Sequence, residues 1–175
     1  MFSKELIIPQ DVQIEIAGNK VKVKGAKGEL EKLFEIKNNV KLEKLDSKLK
    51  VSSESDRRKT KAIAGTITAH IRNMITGVTK GCVYKLRVVY SHFPVTVKVE
   101  GNKVLIQNFL GERTSRMAKI VGKVEVKVEG ADVTVSGLDV DEVSRVAANI
   151  EQATRISGRD RRVFQDGCWI VSKGE

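Results

Sequence analysis

The chain has 175 residues, 41% of them apolar but only 5% aromatic, and 32 Lys and Arg oppose 22 Asp and Glu for a net charge of +10. No apolar run approaches the roughly 20 residues that cross a bilayer, and the opening MFSKELIIPQ lacks a secretory signal's long apolar stretch, so a cytoplasmic protein with no membrane partner is expected. The basic excess makes polyanions, nucleic acid first among them, the partners to consider.

Val12, Ile14 and Ile16 alternate with Gln13 and Glu15, Gly18-Asn19 interrupts, and Val21 and Val23 then alternate with Lys20, Lys22 and Lys24. That pattern predicts an antiparallel hairpin with one buried face, closed by a tight turn whose residues tolerate positive φ. Further strands are expected over Glu29–Ile36, Val40–Lys44 and Lys48–Ser52, the last two joined by a turn at Asp46-Ser47. From about Asp56 the period changes: Ile63, Ile67, Ile71, Met74, Ile75 and Val78 recur every three or four residues, which predicts an amphipathic helix laid on the sheet. Ser55 or Asp56 suits its start, and Gly77 or Gly81 its end.

The second half repeats this order. Val95–Glu112 matches Val12–Glu29 at a shift of 83 positions, with 7 of 18 paired residues identical, including Gly18/Gly101, Asn19/Asn102 and Gly28/Gly111. So long a period means a duplicated domain rather than a solenoid. Strands are expected over Tyr84–Tyr90, Val95–Val99, Val104–Asn108, Val124–Val128 and Val133–Val135. A helix should start near Asp139 and present Val143, Val146, Ala147, Ile150 and Ala153 on one face, with Gly158 as its stop. The fold class is therefore α+β, two tandem domains over residues 1–82 and 83–175, each an antiparallel sheet packed against one helix. The tail 157–175, with a short strand at Cys168–Val171, has no counterpart in the first half.

Residues 1–82 carry 17 basic and 10 acidic side chains, and residues 83–175 carry 15 and 12, so the excess is spread over both halves but gathers in three patches. In the tail, Arg155, Arg159, Arg161 and Arg162 stand beside Asp160 and Gln165. Guanidinium forks grip phosphates bidentately, and Gly158 and Gly167 allow close backbone approach; a solvated cap at a helix C-terminus is the alternative. The loop 108–123 interleaves Asn108, Arg113, Arg116, Lys119 and Lys123 with hydroxyl groups, a mixture suited to phosphate and ribose or simply to solvent. Arg57, Arg58, Lys59 and Lys61, in the first helical turns, read as an ordinary charged surface.

Catalysis finds little support. Gly122-Lys123 is no phosphate loop, because the glycine it needs upstream is Met117, and GxGxxG, GxSxG, HExxH and DxDxDG patterns are absent. Asp139, Asp141 and Glu142 open a helix, where acidic residues are favoured for capping. Cys82 and Cys168 have no CxxC or CxxH neighbours and are expected as free buried thiols, with neither a metal site nor any cofactor. Phe93, Phe109, Phe164 and Trp169 are expected to anchor loops to the second core, since no RNA-recognition-motif signature is present.

YSHFPV (Tyr90–Val95), VEGNKVLIQNFLGE (Val99–Glu112) and GRDRRVFQDG (Gly158–Gly167) resemble the large-subunit ribosomal protein family numbered six, in its archaeal and eukaryotic branch. The resemblance extends over essentially the whole chain; Cys168-Trp169 departs from an expected aliphatic-tyrosine pair. It implies two similar α+β modules and a non-enzymatic, monomeric place in the large ribosomal subunit. There the second module would grip rRNA near the sarcin-ricin loop, with translation factors and other large-subunit proteins as neighbours. On this chain the implied contacts are Asn108, Gly111, Arg113 and Arg116 in the loop, and Arg159, Asp160, Arg161, Arg162 and Gln165 in the tail; patch composition adds Lys119 and Arg155. A protein-binding adaptor with no RNA role is the alternative.

Overall fold

The computed structural model describes residues 2–34, 40–45, 48–53 and 57–174. The chain divides into two compact units, Met1–Gly81 and Cys82–Glu175. Cys82 belongs to the second unit rather than closing the first, because its side chain is buried in the second core.

The first unit contains β1 (Phe2–Ile7), β2 (Gln13–Ala17), β3 (Lys20–Gly25), β4 (Gly28–Leu33), β5 (Val40–Leu45), β6 (Lys48–Ser53) and α1 (Arg58–Thr79). The strands form two antiparallel sheets, ordered β2-β3-β4 and β1-β6-β5, rather than one continuous ladder. Pairing of Ala17 with Lys20 leaves Gly18-Asn19 as a two-residue turn, with Gly18 at φ +60°, where a Cβ would be strained. Alternation puts Ile14, Val21 and Val23 of one sheet and Leu49 and Val51 of the other against Ile67, Ile71, Met74, Ile75 and Val78 of α1. Each such side chain contributes about 1.5–3 kcal/mol by leaving water.

The helix stops at Lys80, whose N–H bonds the Thr76 and Gly77 carbonyls, followed by Gly81 at φ +82°. Gly81 is thus the terminator, and Gly77 is a buried position inside the helix. The expected caps Ser55 and Asp56, the turn at Asp46-Ser47 and the end of the strand expected over Glu29–Ile36 lie outside the described residues. The sequence reading missed β1, although a shift of 83 places it opposite the strand expected at Tyr84–Tyr90.

The second unit contains β7 (Cys82–Val89), β8 (Thr96–Glu100), β9 (Lys103–Gln107), β10 (Arg116–Lys119), β11 (Val124–Glu129), β12 (Asp132–Gly137), α2 (Val140–Ala153) and β13 (Gly167–Lys173). Its sheets, β8-β9-β10 and β11-β12-β7-β13, repeat the first unit's orders with β13 added beside β7. The duplication is therefore visible in topology as well as in sequence. Loop 108–123 is not a continuous loop. A single 3-10 turn, Phe109–Gly111, leads to β10, which pairs with β9 and buries Ala118, as β4 pairs with β3. Asp139 caps α2 by accepting from the Asp141 N–H at 2.9 Å.

The helix ends at Thr154, not Gly158. Thr154 is buried, donates to the Glu151 carbonyl and accepts from the Cys168 N–H at 3.0 Å, so the need to hold β13 fixes the end. Both cysteines are free and buried, and burial pushes the Cys168 thiol up to about 11 against the hydrogen bond from Thr154.

Candidate nucleic-acid interface

The tail between α2 and β13 is a fixed turn. Asp160 Oδ1 accepts from the Arg162 N–H at 2.9 Å, and the Asp160 carbonyl accepts from Val163 and Phe164 at 3.2 and 2.9 Å. Gln165 Nε2 donates to the Arg162 carbonyl at 3.3 Å. This self-bonded turn holds Arg159, Arg161 and Arg162 together in solvent, with Arg159 over the Phe164 ring at 4.8 Å.

Asp166 fastens the turn to the loop that follows β7. Only 1% exposed, it accepts from Ser91 Oγ (2.9 Å), the Ser91 N–H (3.2 Å) and the His92 N–H (3.3 Å), with His92 Nδ1 3.0 Å from Oδ1. A carboxylate only accepts, so Nδ1 carries the hydrogen in that contact. Burial pushes the carboxyl upward, but the bonds from His92 and Ser91 together outweigh it and hold Asp166 below the usual carboxylate range. The His92 ring also stacks on Phe164 at 4.6 Å. Ser, His and Asp meet here without the geometry of a catalytic triad. The hydroxyl and Nδ1 bond the same carboxylate oxygen, whereas a nucleophile must face the other imidazole nitrogen.

The loop after β9 is held in sparsely populated backbone conformations: Asn108, Leu110 and Gly111 have φ of +57°, +52° and +76°. Asn108 Nδ2 donates to the Pro94 carbonyl at 3.0 Å, and a Cβ on Gly111 would lie 3.3 Å from Phe93. Arg116 grips Glu112 with two bonds, at 2.8 and 2.5 Å, and its Nη1 donates to the Ala153 and Arg155 carbonyls at 3.0 and 2.9 Å. Its guanidinium also covers the Phe109 ring at 4.5 Å. Arg116 thus ties the loop to the open end of α2, and the bond it donates to Glu112 keeps that carboxyl below its ordinary range. Within the chain its guanidinium is thus engaged by a carboxylate, two carbonyls and an aromatic ring.

The structure therefore joins the loop, the segment 91–94 and the tail into one hydrogen-bonded surface. Arg113, Lys119, Arg155, Arg159, Arg161 and Arg162 are exposed on this unit, and among the described residues none of them forms an ion pair. Ion pairs do occur elsewhere in both units: Lys20 pairs with Glu31 at 2.6 Å, Lys22 with Glu29 at 3.3 Å and Lys48 with Glu5 at 3.1 Å in the first, and Arg87 with Asp132 at 3.0 Å in the second. Asn108, Asp160 and Gln165 shape the surface through the bonds just described, and Gly111 shapes it through its φ.

Sequence reasoning missed Ser91, His92 and Asp166 as a unit, since their separation of 74–75 residues gives no local signal. It also placed four aromatics as core anchors. Phe109 is one and Phe164 is half-buried, but Phe93 and Trp169 are 44% and 49% exposed. At the start of α1, Arg57 is the N-cap without a side-chain cap, and Arg58 and Lys59 are exposed. Among the described residues, no group of three or more His, Cys, Asp or Glu could hold a metal, and no helix is long and apolar enough to cross a membrane.

Two tandem α+β units, the second bearing a cluster of exposed arginines on a braced loop and tail, define a duplicated scaffold with a basic surface. The family model described as "Ribosomal protein L6" matches twice, at residues 8–81 and 93–167, once on each unit, and the chain belongs to that family. It is 50% identical to a "Large ribosomal subunit protein uL6" of Sulfurisphaera tokodaii over 97% of this chain and 91% of that protein. Proteins of the same name from Staphylothermus marinus (49%, over 98% of this chain and 95% of that one) and Ignicoccus hospitalis (48%, over 95% and 91%) are similarly close.

Proposed function

We propose that this protein is a non-enzymatic structural component of the large ribosomal subunit in the cytoplasm, bound to large-subunit rRNA chiefly through its second unit. The observation that carries the reading is the set of arginines without carboxylate partners on a surface braced by Asp160, Asp166 and Arg116. Arg113, Lys119, Arg155, Arg159, Arg161 and Arg162 neutralise phosphates, while Asn108 and Gly111 set the loop's shape. Arg116, Asp160 and Gln165 position the contacts. Rigid presentation lowers the entropy lost on binding, because the guanidinium stems start from an ordered backbone. Family membership and the resemblance of the loop and tail motifs favour a site beside the sarcin-ricin loop, near translation factors and other subunit proteins.

Sedimentation of the tagged chain through cell extract tests this reading. Co-migration with large subunits, abolished when nuclease digests the RNA, is the expected result. Binding that survives digestion and barely depends on salt would favour a protein adaptor instead.

A further inference from the structure

We infer that the groove between the end of α2 and the start of β13 receives one unstacked base of the bound RNA. The inference rests on the rRNA reading above and adds a binding mode to it.

The groove is open to solvent and has a volume of about 640 Å³, within the roughly 300–1,000 Å³ typical of small-ligand sites. Val89, Ile156, Phe164 and Trp169 give it apolar walls, and Arg155 and Arg161 line it as well. Neither arginine has a carboxylate partner among the described residues. An apolar hollow edged by two guanidinium groups outside any ion pair, against a single carboxylate, matches a ligand with a flat apolar body and an attached anion, which describes a nucleotide. An apolar protein side chain would fill the hollow and leave the cations unanswered. Glu151, the one carboxylate in the lining, is held by Oε1 to the Ile170 N–H at 3.3 Å.

Trp169 is 49% exposed yet fixed. Its Nε1 donates to the Gln165 carbonyl at 3.3 Å, and its ring lies so close over Gly167 that a Cβ there would sit 3.2 Å from Nε1. Half-exposed indoles held in one orientation lose little freedom on stacking, so the ring is a ready platform for a base. Phe164, between the His92 stack and Arg159, is similarly constrained.

Trp169 is the chain's sole tryptophan, so its fluorescence reports on this groove alone. The full-length protein is titrated with protein-free large-subunit rRNA and, separately, with a fully paired RNA duplex. The rRNA should quench Trp169 and shield it from iodide, and the duplex should do neither. Trp169→Ala should weaken rRNA binding about 5- to 150-fold, the range expected for one base–aromatic stack, without changing the salt slope, because no phosphate contact is lost. Trp169→Phe should recover most of the affinity, which separates lost stacking from lost folding. Saturating rRNA binding that leaves Trp169 fluorescence unchanged overturns the inference while the rRNA reading stands; a fluorescence change seen only when subunit proteins are added assigns the groove to a protein and also overturns it. No binding of the wild-type chain to rRNA removes both.

Discussion

Arg116 and Arg161 carry the same charge and do different work. Arg116 is engaged by Glu112, two carbonyls and an aromatic ring, whereas Arg161 stands in solvent beside a groove. Residue type in the sequence announces both as cations, but only the fold shows which has donors to spare. Asp166 makes the point more strongly. Its neighbours in sequence are ordinary tail residues, and its partners Ser91 and His92 come from the far side of a domain's worth of chain. Replacing it by Asn should destabilise the second unit by about 1.5–3 kcal/mol, the worth of hydrogen bonds to a charged group. The folded carboxyl is held below the unfolded value of about 3.9, so its contribution is fully present above that pH and fades as pH falls through the folded value. The gap in melting temperature between wild type and Asp166→Asn should therefore narrow below about pH 4; a gap that persists undiminished at lower pH would remove the charged anchor from the account.

Elements built on clean alternation or a 3.6-residue period were legible from sequence: the hairpin of β2 and β3, both helices and most strands. The misses share a cause. β1 and β10 are short or polar, and tertiary pairing to β6 and β9, rather than local pattern, makes them strands. The end of α2 was misjudged because a buried threonine bonding β13, not a glycine, sets it. Elements also meet at points where one atom matters. Gly25 at the end of β3 lies against α1, and an added Cβ would fall 2.6 Å from Val78 Cγ2 and 3.0 Å from the Val78 carbonyl, which accepts from the Lys27 N–H. Gly25→Ala should therefore destabilise the first unit by about 1–3 kcal/mol through overpacking. Denaturant unfolding followed by hydrogen exchange should locate the loss in residues of that unit and leave protection of the second unit unchanged; equal losses in both would contradict the packing argument.

For the whole molecule, duplication supplied two scaffolds of the same topology, and the second gained β13 and a tail. Net charge and the proposed interface diverge: residues 1–82 hold the larger excess, at 17 basic to 10 acidic, while the contacts proposed above lie on the second unit. Local clustering, together with the resemblance of the loop and tail motifs, pointed to the second unit from sequence; the bracing by Asp166 and Arg116 could not be read there. Because phosphate neutralisation releases counterions, the number of cations engaged appears in the salt dependence of affinity. The most direct measurement is the rRNA affinity of wild type and of the Arg159→Ala, Arg161→Ala, Arg162→Ala triple variant over a range of salt concentrations. Three lost contacts should flatten the log–log slope by about 2–3 and weaken binding at moderate salt, with the fold intact. A triple variant with unchanged affinity and unchanged slope would contradict the claim that the tail arginines hold the RNA.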